Sequence, residues 1–574
     1  MLGSGDQFGT DVRMRQSRHK CTPGPSGIAQ IDSGLRRLIG PFDKFDLATA
    51  LLLAALVVVA LCTFGDYAIS NDEGVQHHYG KLIVDYYASG FRHQDVFGFQ
   101  NLYLYGGLFD VIAIALSHLL PVDVYDLRHI LCAVTGIGGV AAAAAAARLV
   151  AGPRAALLAA ISLSLCGVWY GSMFNHTKDI PFAAAMMGAT FFLLRIARHL
   201  PLPRRIDLVA FGLLAGAALG IRILGVLLVV YVAFAILLYA PEPSLRHERL
   251  RVMASSAVKM LPAFAIAYFM MILAWPWAAL SPLNPVRGLL AFSEFHYGIR
   301  TAFAGKIYQM ADVPRLYIPA YILVRLPLLT LAGAGLAMTL PLLRRRPTGT
   351  RQLERRDVAL LSLTVIFPVA CHVILRGPAF TGLRHFLFVI PPIAALAGVG
   401  LDRMIAVLDN RGRALASVGL AALTAFFLSD AVTLVRLHPY EYLYYNSLVG
   451  GLQGASRRYD LDYWFDAMPE AIGQLEAYVR TTAPSDSDWP ERVYSVAVCG
   501  ERLEFERAVT LPQLHWDFKP EWRQSEFFIA PTQMNCDQDL DGKIVGTVER
   551  LGVPIAYVKD RRALMSPTLA AAPP

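Results

Sequence analysis

Runs of roughly 20 mostly apolar residues recur between residues 46 and 436, and each is long enough to cross a ~30 Å hydrocarbon core. Charge is surrendered to match. Only 17% of the 574 residues are charged and 55% are hydrophobic, against about 25% charge in an ordinary soluble domain. The chain therefore reads as a polytopic α-helical membrane protein. Candidate spans are 46–66, 127–148, 154–173, 181–198, 206–221, 223–240, 256–276, 316–342, 358–376, 385–402 and 412–436. A net charge of +8 raises nucleic acid as a partner. The basic residues nevertheless fall mostly in short loops between apolar runs, where they orient helices. Membrane lipids are expected as partners and nucleic acid is not.

Sidedness follows from charge and parity. Residues 1–45 are polar and basic (Arg13, Arg15, Arg18, Lys20, Arg36, Arg37), with no apolar core before Asp46. This is not a cleavable signal peptide and reads as a disordered cytoplasmic tail. The apolar run 101–120 is a twelfth candidate span. Counting it would export "RRRPTGTRQLERR" (344–356), against the positive-inside rule. Left as an interfacial or re-entrant helix, it keeps "RHLPLPRR", "SLRHERLR", "RRRPTGTRQLERR" and "DRMIAVLDNRGR" together in the cytoplasm. Gly106, Gly107, Asp110 and His118 agree with that placement. About eleven spans of ~20 residues result, amino end inside and carboxyl end outside, with residues 46–436 as the membrane domain.

The outer side then holds the first loop (67–126) with its juxtamembrane helices, the turn 174–181, the loop 277–315 and a terminal domain, 437–574. In that domain "RVYSVAVCG", "EFFIAPTQ" and "GKIVGTVERLGVPIAYVKD" read as strands. "DAMPEAIGQLEAYVRTT" reads as an amphipathic helix with Leu475 and Ala477 on its apolar side. A small extracytoplasmic α/β domain is expected, and that location would permit, without requiring, a disulfide between Cys499 and Cys536. Cys62, Cys132, Cys166 and Cys371 lie in or beside spans as small apolar fillers. No internal repeat is evident, and the alanine run 141–147 is helix filler.

Polar residues on the outer side are the candidates for chemistry. Asp72 and Glu73 follow the first span, as a polar cap or as an acidic site. "HTKDIP" (176–181) places His176, Lys178 and Asp179 between two spans, where Asp179 also suits a helix amino-terminal cap. Arg222 sits in the tight turn "GIRILG", either snorkelling to headgroups or paired at depth. Arg376 and Arg384 lie near the start of a late span entered from outside. His77 and His78 are adjacent and point apart on a helix, so they suit one interfacial and one packed imidazole better than a shared metal. "WPW" (275–277) reads as an interfacial aromatic belt, with Phe292, Phe295, His296 and Tyr297 beyond it.

In order and sidedness these motifs resemble the GT-C superfamily of membrane glycosyltransferases. The branch is that of protein O-mannosyltransferases, aminoarabinose transferases of lipid A and rhizobial galacturonosyltransferase-like proteins. An Asp-Glu pair ends the first helix, and an Asp-x-Pro turn follows two spans later. "LRHFLFVIPPIAALAG" (383–398) resembles the family's Arg-bearing entry into a late helix. "HPYEYLYYNSLVGGLQGA" with "YDLDYW" (438–464) resembles the exit from the last span. The resemblance implies transfer of a sugar from a polyprenyl-phosphate donor to an extracytoplasmic acceptor (lipid, glycan or protein), with inversion. It implies Asp72 as general base, with Glu73 beside it to orient the acceptor or to help bind a metal. Lys178, Arg222 and Arg384 would bind the donor phosphate, with Asp179 and His176 in support. It leaves a divalent metal open, since branches of the superfamily differ. It also implies a bacterial inner membrane and modification of envelope glycans such as lipopolysaccharide. The rival is a transporter or flippase of lipid-linked sugars, which also uses outer-facing charge but often shows repeated halves.

Overall fold

The computed structural model describes residues 43–240, 246–293, 298–343, 350–377, 379–482 and 491–565. The amino-terminal basic stretch through residue 42 and residues 295–297 lie outside the described residues. Every apolar run read as a span contains helix, yet the runs differ in their capacity to cross a membrane. Among the described residues seven helices are long and apolar enough: Lys44–Asp66, Val124–Ala151, Asp179–Arg198, His247–Ala274, Gln352–Leu375, Arg384–Arg411 and Arg413–Leu437. Two further pairs qualify only together, Pro153–Ser164 with Gly167–Asn175 bent by 70°, and Tyr317–Arg325 with Leu328–Thr339 bent by 118°. The structure thus carries seven to nine such spans by length and composition.

Local chemistry explains the shortfall from eleven. The 118° break falls at Leu326–Pro327, where Leu326 is extended (φ −93°, ψ 147°), as the residue before a proline prefers. Runs 206–221 and 223–240 become Arg205–Leu219 and the short apolar helix Ile223–Tyr239, separated by a turn holding Arg222. The run 101–120 contains only the ten-residue helix Leu108–Ser117, about 15 Å long and too short to span. That agrees with an interfacial or re-entrant placement.

The two ends of the bundle differ in charge pattern. At the end where the first span begins, arginines pair with acids on neighbouring helices. Arg148 holds Asp46 at 2.6 and 2.8 Å, Arg154 holds Asp402 at 2.6 Å and Arg195 holds Asp207 at 2.8 Å. Arg198 also ties to Asp357 and to the Leu149 carbonyl at that end. The helices pack through small residues, Ala143, Ala146, Ala147, Ala155 and Ala159 being fully buried, which allows the close approach that membrane helices use.

At the other end the chain after the first span forms the helix Asn71–Ala88 and then returns through "YLYGGLFD". Gly106 crosses the Gly220 backbone so closely that a Cβ there would sit 2.0 Å from the Gly220 carbonyl oxygen. The crossing is locked by Leu108 N–H donating to Gly220 O (3.1 Å) and Gly107 N–H donating to Ala274 O (2.9 Å). It delivers Tyr105 to the turn that carries Arg222.

Beyond the last span, residues 438–467 run through short turns packed against the bundle before the helix Met468–Thr482. Five strands follow in the described residues, β3 Tyr494–Val498, β4 Leu514–Asp517, β5 Phe527–Pro531, β6 Lys543–Arg550 and β7 Val553–Asp560. Their order is β4-β3-β5-β7-β6, parallel from β4 to β5 and antiparallel onward. A separate hairpin, β1 Arg300–Phe303 with β2 Lys306–Gln309, lies in the loop 277–315. The three strand-bearing segments read from the sequence are strands, and β4 is an addition. Helix Met468–Thr482 buries Ala471, Ile472, Leu475 and Val479, while Ala477 is exposed. Ala477 was expected on the apolar side. At two residues beyond Leu475 it is turned by about 200° from it. Cys499 and Cys536 are disulfide-bonded.

Candidate functional site

The helix Asn71–Ala88 starts with Ser70 as N-cap and Glu73 at the third helical position, an arrangement that pulls Glu73 back toward the helix start. Glu73 Oε2 accepts from the Ser70 backbone N–H at 2.9 Å and lies 3.2 Å from His129 Nε2. Its Oε1 is 3.7 Å from Arg128 Nε, and the side chain is fully buried. Arg128 also donates to Asp110 (2.8 Å) and Thr177 (3.0 Å). Glu73 is thus held by the start of its own helix, by His129 and beside Arg128, on a different side of the helix from Asp72. Successive helical residues diverge by about 100°, so the adjacent acids serve different surroundings.

Asp72 faces the opposite way and its side chain is 37% exposed. It pairs with Arg384 Nη2. Arg384 Nε donates to Asp179 Oδ2 at 3.0 Å, and Arg222 Nη2 donates to Asp179 Oδ1. The result is an alternating row, Asp72–Arg384–Asp179–Arg222, built from four separate segments. Asp179 is the first helical residue of its span and is not the cap that the sequence also allowed. Lys178, one residue earlier, lies 4.2 Å above the Tyr105 ring, and the Arg222 guanidinium is 6.0 Å from the same ring. Burial, aided by Arg222, pushes the Lys178 amine down to about 8.

The row is backed by Trp464, Tyr463, His176 and Asn175, of which the sequence reading names His176 by number. Trp464 lies 4.3 Å beneath the Arg384 guanidinium, a cation–π contact. His176 packs 4.2 Å from Trp464, meets the Tyr463 hydroxyl through Nε2 and faces Asn175 Oδ1 at 2.9 Å. Burial, with Arg325 nearby, holds the His176 imidazole well below its usual range. It is a neutral, fully engaged support. Asn175 Nδ2 donates to Asp466 Oδ2 at 2.9 Å, which ties the segment after the last span to the turn carrying Lys178 and Asp179.

Arg222 also lines an apolar cavity of about 360 Å³, with Tyr105, Leu227, Phe292, His385 and Phe388 among its walls and Arg376 at the same surface. A row of fixed charge thus reaches the mouth of an oily chamber. Trp275 is fully buried and donates its indole N–H to Tyr103 O at 2.7 Å, and Trp277 is half-buried against Tyr103. The pair braces the returning loop through Tyr103, and the burial of Trp275 leaves only Trp277 with an exposed face.

The candidate metal ligands do not converge. Asp72 and Asp179 are held by arginines, His176 is internally satisfied, and His77 and His78 pack on Tyr125 and Phe99 respectively. Among the described residues no group of three or more His, Cys, Asp or Glu side chains is placed to hold a metal ion. The donor set does not fit one.

Neither a family model nor a curated protein matches the sequence. Among solved structures the chain is similar to ArnT from Cupriavidus metallidurans bound to undecaprenyl phosphate (16% identity, 92% of this chain and 99% of that one, TM-score 0.44). It is similar to the archaeal oligosaccharyltransferase AglB from Archaeoglobus fulgidus in complex with an inhibitory peptide and a dolichol-phosphate (13% identity, 84% and 69%, TM-score 0.44). It is also similar to the arabinofuranosyltransferase AftD from Mycobacteria (15% identity, 88% and 39%, TM-score 0.39). At these scores the likeness assigns no residue roles.

The two neighbouring acids are expected to separate by stability. Glu73→Ala takes the carboxylate partner from the buried His129 and leaves Arg128 with Asp110 as its one acidic partner, and lowers unfolding free energy by about 3 kcal/mol. Asp72→Asn removes a part-exposed pair and costs about 1 kcal/mol or less. Denaturant or thermal unfolding in detergent checks both.

Proposed function

We propose that the protein is a membrane glycosyltransferase that moves a sugar from a polyprenyl-phosphate donor to an acceptor on the outer face of the membrane. The observation that carries this reading is the alternating row of charge ending at the apolar cavity. Two carboxylates, Asp72 and Asp179, stand among three cations, Arg222, Arg384 and Lys178. The surplus is one positive charge, in surroundings poor in water. Phosphate oxygens bind guanidinium forks through charge-assisted hydrogen bonds, and the neighbouring cavity suits the first part of an isoprenoid chain.

The chemistry follows from what each group can give. The acceptor hydroxyl attacks the anomeric carbon from the face opposite the phosphate, and its proton passes to Asp72. The new oxygen–carbon bond forms as the bond from the anomeric carbon to phosphate oxygen breaks. The electron pair leaves with the lipid phosphate, which is already a stable anion and needs positive charge more than a general acid. The configuration at the anomeric carbon is inverted. Arg384 links the two halves of the reaction because it holds Asp72 in the free protein. A phosphate that engages Arg384 competes with that pairing and releases the carboxylate to act as base.

Asp72→Asn is expected to lower turnover of polyprenyl-phosphate sugar by about 10²–10⁴-fold, with folding retained. Full turnover in that variant contradicts the base assignment, and flipping of the lipid-linked sugar without turnover favours a carrier. A pH profile tests the cation set. Lys178 is protonated below about 8 and neutral above it, so kcat/KM for the donor is expected to fall as pH rises through that value. Lys178→Arg, charged throughout, should carry the fall to higher pH.

A further inference from the structure

The guanidinium of Arg384 is gripped at its tip by Asp72 and Asp179, but the backbone that delivers it is a tight turn. Thr381 and Gly382 both take left-handed conformations (φ 52° and 63°), and the Arg384 N–H closes the turn on Thr381 O at 3.4 Å. A β-branched residue is an outlier in that region. Gly382 also lies close against Tyr321, where a Cβ would come within 3.3 Å of the ring. Backbone of this kind persists only where its surroundings hold it.

The hold comes from a buried carboxylate. The Gly382 N–H is shared between Asp460 Oδ2 at 3.1 Å and the Tyr317 hydroxyl at 2.9 Å. Asp460 is 2% exposed. Its Oδ2 also accepts from the Thr301 hydroxyl, and its Oδ1 accepts from the Ala302 backbone N–H at 2.9 Å and from Gln533 Nε2 at 2.7 Å. The backbone of Asp460 is fixed in turn by the hydroxyls of Tyr321 (3.0 Å) and Tyr445 (2.6 Å). The hairpin β1–β2, the helix Tyr317–Arg325, the turn before Arg384 and the stretch after β5 thus meet on one side chain.

Such a carboxylate can serve as a general clamp, and two features point this one at Arg384. The N–H groups of Gly382, Ala302 and Gln533 only donate, so both oxygens must accept, and one of these donors belongs to the turn itself. Asp460 also opens the loop that carries Trp464, whose ring lies 4.3 Å from the Arg384 guanidinium. Asp462 closes that loop by accepting from the Asp466 and Ala467 N–H groups at 2.7 and 3.0 Å. The backbone that enters Arg384 and the ring that supports its charge share one anchor.

We propose that Asp460 is a positioning residue for the donor phosphate, setting through Gly382 and Trp464 the place that Arg384 occupies. The assignment rests on the transferase reading, in which Arg384 binds that phosphate, and adds a residue that acts only through Arg384. Through the same carboxylate the hairpin in the loop 277–315 and Gln533 bear on the phosphate site.

Titration of the purified full chain with a sugar-free polyprenyl phosphate, and in parallel with the corresponding polyprenol, tests the assignment by native mass spectrometry. Asp460→Asn keeps the shape but turns an amide N–H toward one of the three N–H donors. It is expected to weaken phosphate binding about tenfold, with the alcohol unchanged. Gly382→Ala disturbs the turn from its other side, leaves Asp460 in place and is expected to do the same. Arg384→Gln should weaken the phosphate as well, and adding Asp460→Asn to it should cost no further affinity, because residues acting as one unit are not additive. Unchanged phosphate binding in Asp460→Asn overturns the proposal, as does unchanged binding in Gly382→Ala, which tests the same hydrogen bond should Asp460→Asn not fold. A full additional loss in the double variant overturns it too, since a general clamp would act independently of Arg384. No preference for phosphate over alcohol in the natural protein, or none lost in Arg384→Gln, contradicts the lipid-phosphate reading itself, so the two failures are told apart.

Discussion

The carboxylate of Asp179, shared between Arg222 and Arg384, is the interaction around which the bundle end opposite the start of the first span is assembled. An ionised group at the edge of hydrocarbon is costly without partners, and each of these three has its partner on a different segment. Asp179 opens one span, Arg222 interrupts the next pair of helices, and Arg384 begins a span some two hundred residues later in the chain. Asp72 joins the row only because Arg384 has already been fixed by Asp179 and by the Trp464 ring. Without Asp179 two guanidiniums would face one another with no intervening charge. The fold and the candidate chemistry therefore rest on the same atoms.

A second network lies beneath the first and keeps it in place. Arg128, wholly buried, draws together Glu73, Asp110 and Thr177. It thereby connects the helix Asn71–Ala88, the short helix Leu108–Ser117 and the turn that holds Lys178 and Asp179. The Gly106–Gly220 crossing then brings Tyr105 under Lys178. The segment after the last span closes the assembly from the far side through Asp466 and Trp464. One oily cavity adjoins the row, reached by Arg222.

Much of this was legible in the chain because polar residues are expensive where apolar runs dominate. Asp72, Asp179, Arg222 and Arg384 stood out for that reason, and the structure brings all four into contact. The short helix within 101–120 was legible from its glycines and from the charge parity of the loops. The separate surroundings of Glu73 and Asp72 were not legible, because adjacency in sequence conceals the rotation that separates neighbours on a helix. Trp464 and Tyr105 were silent because aromatic residues abound in such chains and only folding brings one beneath a guanidinium. The break at Pro327 was visible as a proline, yet its 118° bend depends on how the flanking helices pack.

The most direct measurement is native mass spectrometry of the purified protein with a polyprenyl phosphate that carries no sugar, compared with the corresponding polyprenol. The natural protein is expected to retain one polyprenyl phosphate and to discriminate against the uncharged alcohol. The double variant Arg222→Gln/Arg384→Gln, folded by the same measure, is expected to lose that discrimination. Equal retention of the phosphate by the double variant would contradict the assignment of the charged row to a lipid phosphate.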